Sequence, residues 1–170
     1  IGRLNSLEIL HHTPQGFYLD GAEHGEILLP SRYVTDSMKE GNMITVFVYR
    51  DSEDRLIAST DRPKAIVGEF AGLKVTSVHP NVGAFLDWGL PKDLLLPYRE
   101  QTKPARKDQI IVVRIILDPK SERLVASARL NRWLEKQAPR YRRGQSVRLL
   151  ISERTPMGLN ALINESHVGL

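Results

Sequence analysis

The chain repeats itself, and that repetition limits its possible folds more than any other feature. Gly16 returns as Gly83, Asp20 as Asp87, Leu29-Pro30 as Leu96-Pro97 and Asp51 as Asp118, all 67 residues on; Arg55 then returns as Arg123 and Ala58-Ser59 as Ala126-Ser127, 68 residues on. The added residue lies between Asp51-Ser52-Glu53-Asp54-Arg55 and Asp118-Pro119-Lys120-Ser121-Glu122-Arg123. Both are polar segments with turn chemistry, where an insertion is tolerated. A register that holds so long and slips only at a turn marks duplicated structural units. A weaker third copy begins near Gly144: Val147-Arg148-Leu149-Leu150-Ile151 reads as a strand, and Met157-Gly158-Leu159 echoes Val82-Gly83-Ala84.

Each copy carries the pattern of a β unit. Phe17-Tyr18-Leu19-Asp20, Ile44 to Tyr49 and Arg55 to Ser59 are short, alternating or β-branched, and bounded by Gly, Pro, Asn and Asp. About five short strands per unit suit a small closed barrel, which also removes exposed sheet edges. The expected fold class is therefore all-β, with five-stranded barrels in tandem, two complete and one partial. The expected limits are 1–62 for the first barrel, 63–130 for the second, 131–143 for a basic linker and 144–170 for the partial third. The segment from Ser31 to Glu40 is expected to hold a short helix or turn, and Asn131 to Lys136 a brief helix entering the linker. The third copy lacks counterparts of the last two strands, so the chain is expected to be a fragment of a longer protein.

Composition narrows the function classes. Of 170 residues, 41% are hydrophobic and 26% charged, which fits a folded chain. No cysteine is present, which excludes disulfides, thiolate metal sites and a cysteine nucleophile. The apolar run Ile110 to Leu117 is interrupted by Arg114 and is far shorter than the roughly 20 residues of a membrane span. No leader pattern opens the chain, so the expected compartment is the cytoplasm, and Asn164-Glu165-Ser166 is read as a chance sequon. Charge is uneven. Residues 1–61 carry 5 basic and 10 acidic side chains, residues 62–130 carry 12 and 7, and residues 131–170 carry 7 and 3. The basic part suits a polyanionic partner and also suits a plain solvated surface.

Catalysis needs grouped side chains, and none stand out. His11-His12 is adjacent rather than helically spaced, and His24, His79 and His167 have no evident metal partners, so each is read as a surface residue. No phosphate loop or dinucleotide fingerprint occurs, since Gly16 to Gly21 lacks the following Lys-Ser or Lys-Thr. Carboxylate pairs such as Asp51 with Glu53, or Asp118 with Glu122, are explained by turn solvation. Trp88 and Tyr98 read as packing residues. No enzyme activity, cofactor or metal is expected.

The order Gly-x-aromatic-Leu-Asp, a Leu-Leu-Pro strand, a long apolar strand ending in Asp, then Arg-Leu-Val-Ala-Ser-Ala-Arg resembles the RNA-binding domain named after ribosomal protein S-one, an oligonucleotide-binding (OB) barrel. Two such units with Leu-Leu-Pro, followed by Ile163-Asn164-Glu165-Ser166-His167-Val168-Gly169-Leu170, resemble the bacterial conserved virulence factor B family. That resemblance implies three such barrels and a winged helix, the last absent here. It also implies base stacking by Tyr18 and Phe85, whose neighbours Phe17 and Leu19, or Ala84 and Leu86, then face the core. It implies RNA contacts by an aspartate and an arginine around the last hairpin, Asp51 with Arg55 and Asp118 with Arg123, and places Arg129 near a further basic position. Departures are evident: Gln15, Val82 and Met157 stand where a phenylalanine usually precedes the glycine, and Pro30 and Pro97 where a histidine usually ends the third strand. The aromatic platform is thus expected to be thinned, and the acidic first barrel to bind RNA poorly alone.

In the expected linker, Arg129, Arg132, Arg140, Arg142 and Arg143 are interleaved with Trp133 and Tyr141. The pattern suits phosphate neutralisation with base stacking, and equally a solvated connector with Trp133 packed between barrels. The leading functional expectation is single-stranded RNA binding that affects RNA stability, translation or expression of other genes, centred on the second barrel and this stretch. Protein partners in translation or RNA turnover are compatible with it. The alternatives are a protein-docking or spacer module, and a DNA-binding regulator acting through the missing winged helix.

Overall fold

The computed structural model describes residues 1–136 and 140–169. Residues 137–139, inside the expected linker, and Leu170, the last residue of the family-like terminal segment, lie outside the described residues. The protein is nearly all β, as expected.

In the first barrel, β1 (Leu4–Thr13), β2 (Gly16–Asp20), β3 (Glu26–Pro30), β4 (Met43–Arg50) and β5 (Leu56–Ser59) close in the order β1-β2-β3-β5-β4. β3 and β5 run parallel, and the other pairs are antiparallel. Strand alternation sends Ile9, Phe17, Leu19, Ile27, Leu29, Val46, Val48 and Ala58 inward to one core. Tyr33 joins them from a 3-10 turn at Ser31–Tyr33, the only regular helix of the expected Ser31 to Glu40 segment.

The second barrel repeats the arrangement with β6 (Phe70–His79), β7 (Gly83–Asp87), β8 (Leu94–Pro97), β9 (Ile110–Leu117) and β10 (Leu124–Ser127), ordered β10-β8-β7-β6-β9. Leu73, Val75, Ala84, Leu86, Leu96, Val113, Ile115 and Ala126 are fully buried on its strands. A 3-10 turn at Leu130–Arg132 occupies the start of the expected linker helix. The third copy contributes a three-stranded sheet, β11 (Leu149–Thr155), β12 (Gly158–Ile163) and β13 (His167–Gly169), in sequence order.

The glycines that open β2 and β7 explain a repeated position. Gly16 (φ 141°) and Gly83 (φ 139°) lie so close to the next strand that a Cβ would sit 2.0 Å from the Leu29 carbonyl oxygen or 2.3 Å from that of Leu96. No residue with a side chain fits there without moving backbone. Each first strand also carries a bulge at the same place, between Ile9 and His11, Val75 and Ser77, or Ile151 and Glu153.

By contact density the chain divides into two compact units. One comprises Ile1–Val67, Gly89–Lys92 and Leu117–Leu124; the other comprises Gly68–Trp88, Asp93–Ile116 and Val125–Leu170. The turn joining β9 and β10 therefore groups with the first barrel, and the three-stranded sheet groups with the main part of the second.

Candidate nucleic-acid interface

Register puts the expected stacking residues on the outer walls. Tyr18 and Phe85 are half-buried, between buried neighbours on either side. In the first barrel, pairing runs His11 to Tyr18, Tyr18 to Leu28 and Leu28 to Ile57, one outward row across four strands. The matching row of the second barrel is Ser77, Phe85, Leu95 and Val125. The two rows differ at the first strand. His11 stacks on Tyr18 with ring centroids 5.1 Å apart and planes 18° apart, and its Nε2 lies 3.1 Å from Glu26 Oε2. Ser77 gives Phe85 no such cover, and Phe85 has no ring partner in any contact among the described residues. The platform is thus thinned in the second barrel, while in the first an imidazole restores a ring. Sequence spacing missed His11, because the β6–β7 turn is one residue longer than the β1–β2 turn, which puts Ser77, 66 residues on, in the equivalent position.

The two hairpins hold their charges differently. In the first, Asp51 accepts from Arg55 Nη2 at 2.8 Å and from Nε at 2.9 Å, and from the backbone N–H of Glu53 and Arg55. Partial burial pushes the Asp51 carboxyl up, yet these bonds outweigh it and hold it below the usual carboxylate range. Glu53 caps the other side of the Arg55 guanidinium at 2.8 Å. The second hairpin arranges its counterparts, Asp118 and Arg123, otherwise. The backbone closes as in the first, Asp118 N–H to Arg123 carbonyl at 2.9 Å, but the longer turn gives the Asp118 carboxylate a nearer donor in the Ser121 hydroxyl at 2.7 Å. Arg123 Nε instead donates to Asp54 Oδ1 at 2.8 Å, and Arg50 Nη2 to Glu122 Oε2 at 2.6 Å, both within the first compact unit. The Arg123 hydrogen bond holds the Asp54 carboxyl below its ordinary value. Beside them, partial burial and then Arg123 repulsion lower the Lys92 ammonium.

Most of the expected basic stretch is anchored within the second unit. Arg129 Nε donates to the Arg99 carbonyl at 2.7 Å. Arg132 Nη1 lies 3.3 Å from the carboxylate of Glu100, which is 8% exposed and accepts the Ser127 hydroxyl at 2.5 Å. Arg114 is sandwiched between rings, its guanidinium carbon 5.2 Å from the Phe70 centroid and 5.3 Å from that of Trp133. One face of Trp133 is therefore covered by a cation. Tyr141 is half-buried; its hydroxyl donates to the Ile163 carbonyl at 3.5 Å and its ring meets His167 edge-on. Arg140, Arg142 and Arg143 are exposed. His167, read from sequence as a surface residue, is tucked in: its side chain is 12% exposed, and Nδ1 lies 2.9 Å from the Ser166 hydroxyl. Trp88 is buried, as expected, whereas Tyr98 is 45% exposed and its hydroxyl donates to the His79 carbonyl. Among the described residues, no group of three His, Asp or Glu side chains is placed to hold a metal, and no helix is long and apolar enough to cross a membrane.

Comparison with known proteins bears on what such walls do. Residues 1–61 match the S1 domain family model. The first barrel is thus similar to the S1 domain. Among relatives, an uncharacterized Bacillus subtilis protein, YitL, is 31% identical over 114 residues, covering 64% of this chain and 38% of its own length. Conserved virulence factor B of Staphylococcus saprophyticus is 24% identical over 119 residues, covering 66% of this chain and 40% of its own. The resemblance to that family is thus shown, and the chain spans about two fifths of the curated relatives it matches. A crystal structure described as a multidomain protein with nucleic acid binding domains, from Streptococcus pneumoniae, shares the fold with a TM-score of 0.65 at 18% identity, over 98% of this chain and 60% of that one. The second barrel has the same five-strand order and opening glycine as the first.

Proposed function

We propose that this chain is a non-catalytic binder of single-stranded RNA, holding bases on the outer wall of the second barrel and phosphates with the arginines that follow it. The observation that carries the reading is the adjacent pair Phe85 and Leu95, a ring without a ring partner beside an apolar side chain, in the basic part of the chain. A ring stacks any base and an open barrel wall accepts an extended strand, so binding is sequence-tolerant and salt-dependent. The S1 domain match and the nucleic-acid-binding description of the Streptococcus pneumoniae structure support nucleic-acid binding in general. The finer assignment to Phe85, Arg129, Arg132, Arg140, Arg142 and Arg143, with barrels at 1–62 and 63–130, a linker at 131–143 and a partial barrel at 144–170, is part of the proposal. So are a cytoplasmic location and an effect on RNA stability or translation.

Anisotropy titration of labelled single-stranded RNA at about 50 and 200 mM salt tests the reading. Binding that weakens steeply with salt and exceeds binding to duplex DNA is expected; no binding at the lower salt overturns it. A second reading, protein docking, is favoured for the first barrel alone, where the His11–Tyr18 stack is flanked by Glu26 in a segment with 10 acidic and 5 basic residues. Purification of residues 1–170 with a raised ratio of absorbance at about 260 to 280 nm, removable by ribonuclease, argues for the first reading over the second.

A further inference from the structure

We infer that the second unit contains a base-selective nucleotide subsite centred on Asn160, a deepening of the single-stranded RNA reading on which it rests. Gly158 opens β12 with φ 149°, as Gly16 and Gly83 open their strands, and two residues beyond those glycines stand Tyr18, Phe85 and Asn160. The local frame is the same. The bulge precedes it in each first strand, and the Ser152 hydroxyl donates to the Asn160 carbonyl at 3.1 Å just as the Thr76 hydroxyl donates to that of Phe85 at 3.1 Å. The third copy thus presents a carboxamide where its siblings present rings.

That carboxamide lines a cleft of about 710 Å³ formed by β9, the stretch after β10 and the three-stranded sheet, all within the second unit. The volume falls in the range of small-ligand pockets and suits one or two nucleotides. Lys103, Arg129 and Arg132 line it, with Glu153 the one carboxylate among the lining residues, so it suits an anion. Ile110, 70% exposed on the opposite wall, offers an apolar surface for a base. Glu153 pairs with Lys103 and stands opposite Asn160 in the β11–β12 register. A ring holds every base alike, whereas an amide, with one donor and one acceptor end, matches the edge of some bases and not others. The cleft supplies the sequence preference that the Phe85 wall lacks.

The test is anisotropy with the full chain and single-stranded homo-oligomers of adenine, uracil and cytosine of about 12 nucleotides. The wild type is expected to separate them by roughly tenfold. Asn160→Ala should remove that spread while leaving the weakest oligomer nearly unchanged, and Asn160→Phe should bind all three tightly and alike. Arg129→Ala should lower the salt slope by about one. Equal wild-type affinity for the three oligomers, or an unchanged spread in Asn160→Ala, overturns the subsite. Retained loss of binding in Phe85→Ala would then leave the broader reading standing, and absence of wild-type binding to every oligomer would remove both. Circular dichroism of each variant separates misfolding from lost contact, and Asn160→Phe provides a gain that misfolding cannot mimic.

Discussion

Phe85→Ala and Tyr18→Ala remove rings from equivalent strand positions, yet they should have unequal effects on RNA affinity. Phe85 carries no ring partner, so its face is available to a base, and losing one stacked base costs about 1–3 kcal/mol, or roughly 5- to 150-fold in Kd. Tyr18 already has His11 stacked at 5.1 Å and lies in a segment with twice as many acidic as basic residues. A base there gains less contact and meets an unfavourable field, so Tyr18→Ala should weaken binding by roughly threefold or less. Both variants should fold, because each ring is half-buried on an outer wall and not in the core. Anisotropy titration of a labelled single-stranded RNA at fixed salt measures both, with thermal melts as the folding control. Equal losses, or a larger loss for Tyr18→Ala, would refute the argument that ring availability and local charge place binding on the second barrel.

Other perturbations probe the frame and its charges. Gly16→Ala should destabilise by about 2–5 kcal/mol, since it combines a strained conformation with backbone collision, whereas Gly41→Ala, also at positive φ but with open space around it, should cost about 1 kcal/mol; urea melts giving equal losses would contradict the packing argument. Ser127→Ala removes the hydroxyl that donates to buried Glu100 and should cost about 1–3 kcal/mol by thermal or urea melting, with little change if Glu100 is in fact solvated. The carboxyls of Asp51, Asp54, Asp108 and Glu153 are all held below their ordinary values in the folded chain. Their stabilisation is therefore present at neutral pH and should fade as pH falls below about 4, through the depressed folded values; a melting temperature constant from neutral pH down to about 3 would oppose this.

The repeat made the barrels legible because a duplicated spacing survives wherever strand and turn lengths are held. Alternation around Phe17 and Leu19, or Ala84 and Leu86, correctly turned Tyr18 and Phe85 outward. What spacing concealed was a difference in turn length. The β6–β7 turn is one residue longer than the β1–β2 turn, so the His11–Tyr18 stack and its Ser77 counterpart emerge only from pairing. The contacts of Asp118 and Arg123 were not legible either. Turn length decided which acceptor was nearest, and the guanidinium found Asp54, 69 residues away in sequence. Likewise Trp133 reads as available for stacking until Arg114 is seen against it.

The hairpin turns set where this architecture can change over evolutionary time. One residue gained between Asp118 and Arg123 leaves the barrel closed and reassigns an arginine to a new acceptor. The same gain inside β7 would exchange inner and outer side chains, burying Phe85 and exposing Leu86. New charge pairings can therefore arise at the turns without loss of the ring-bearing wall.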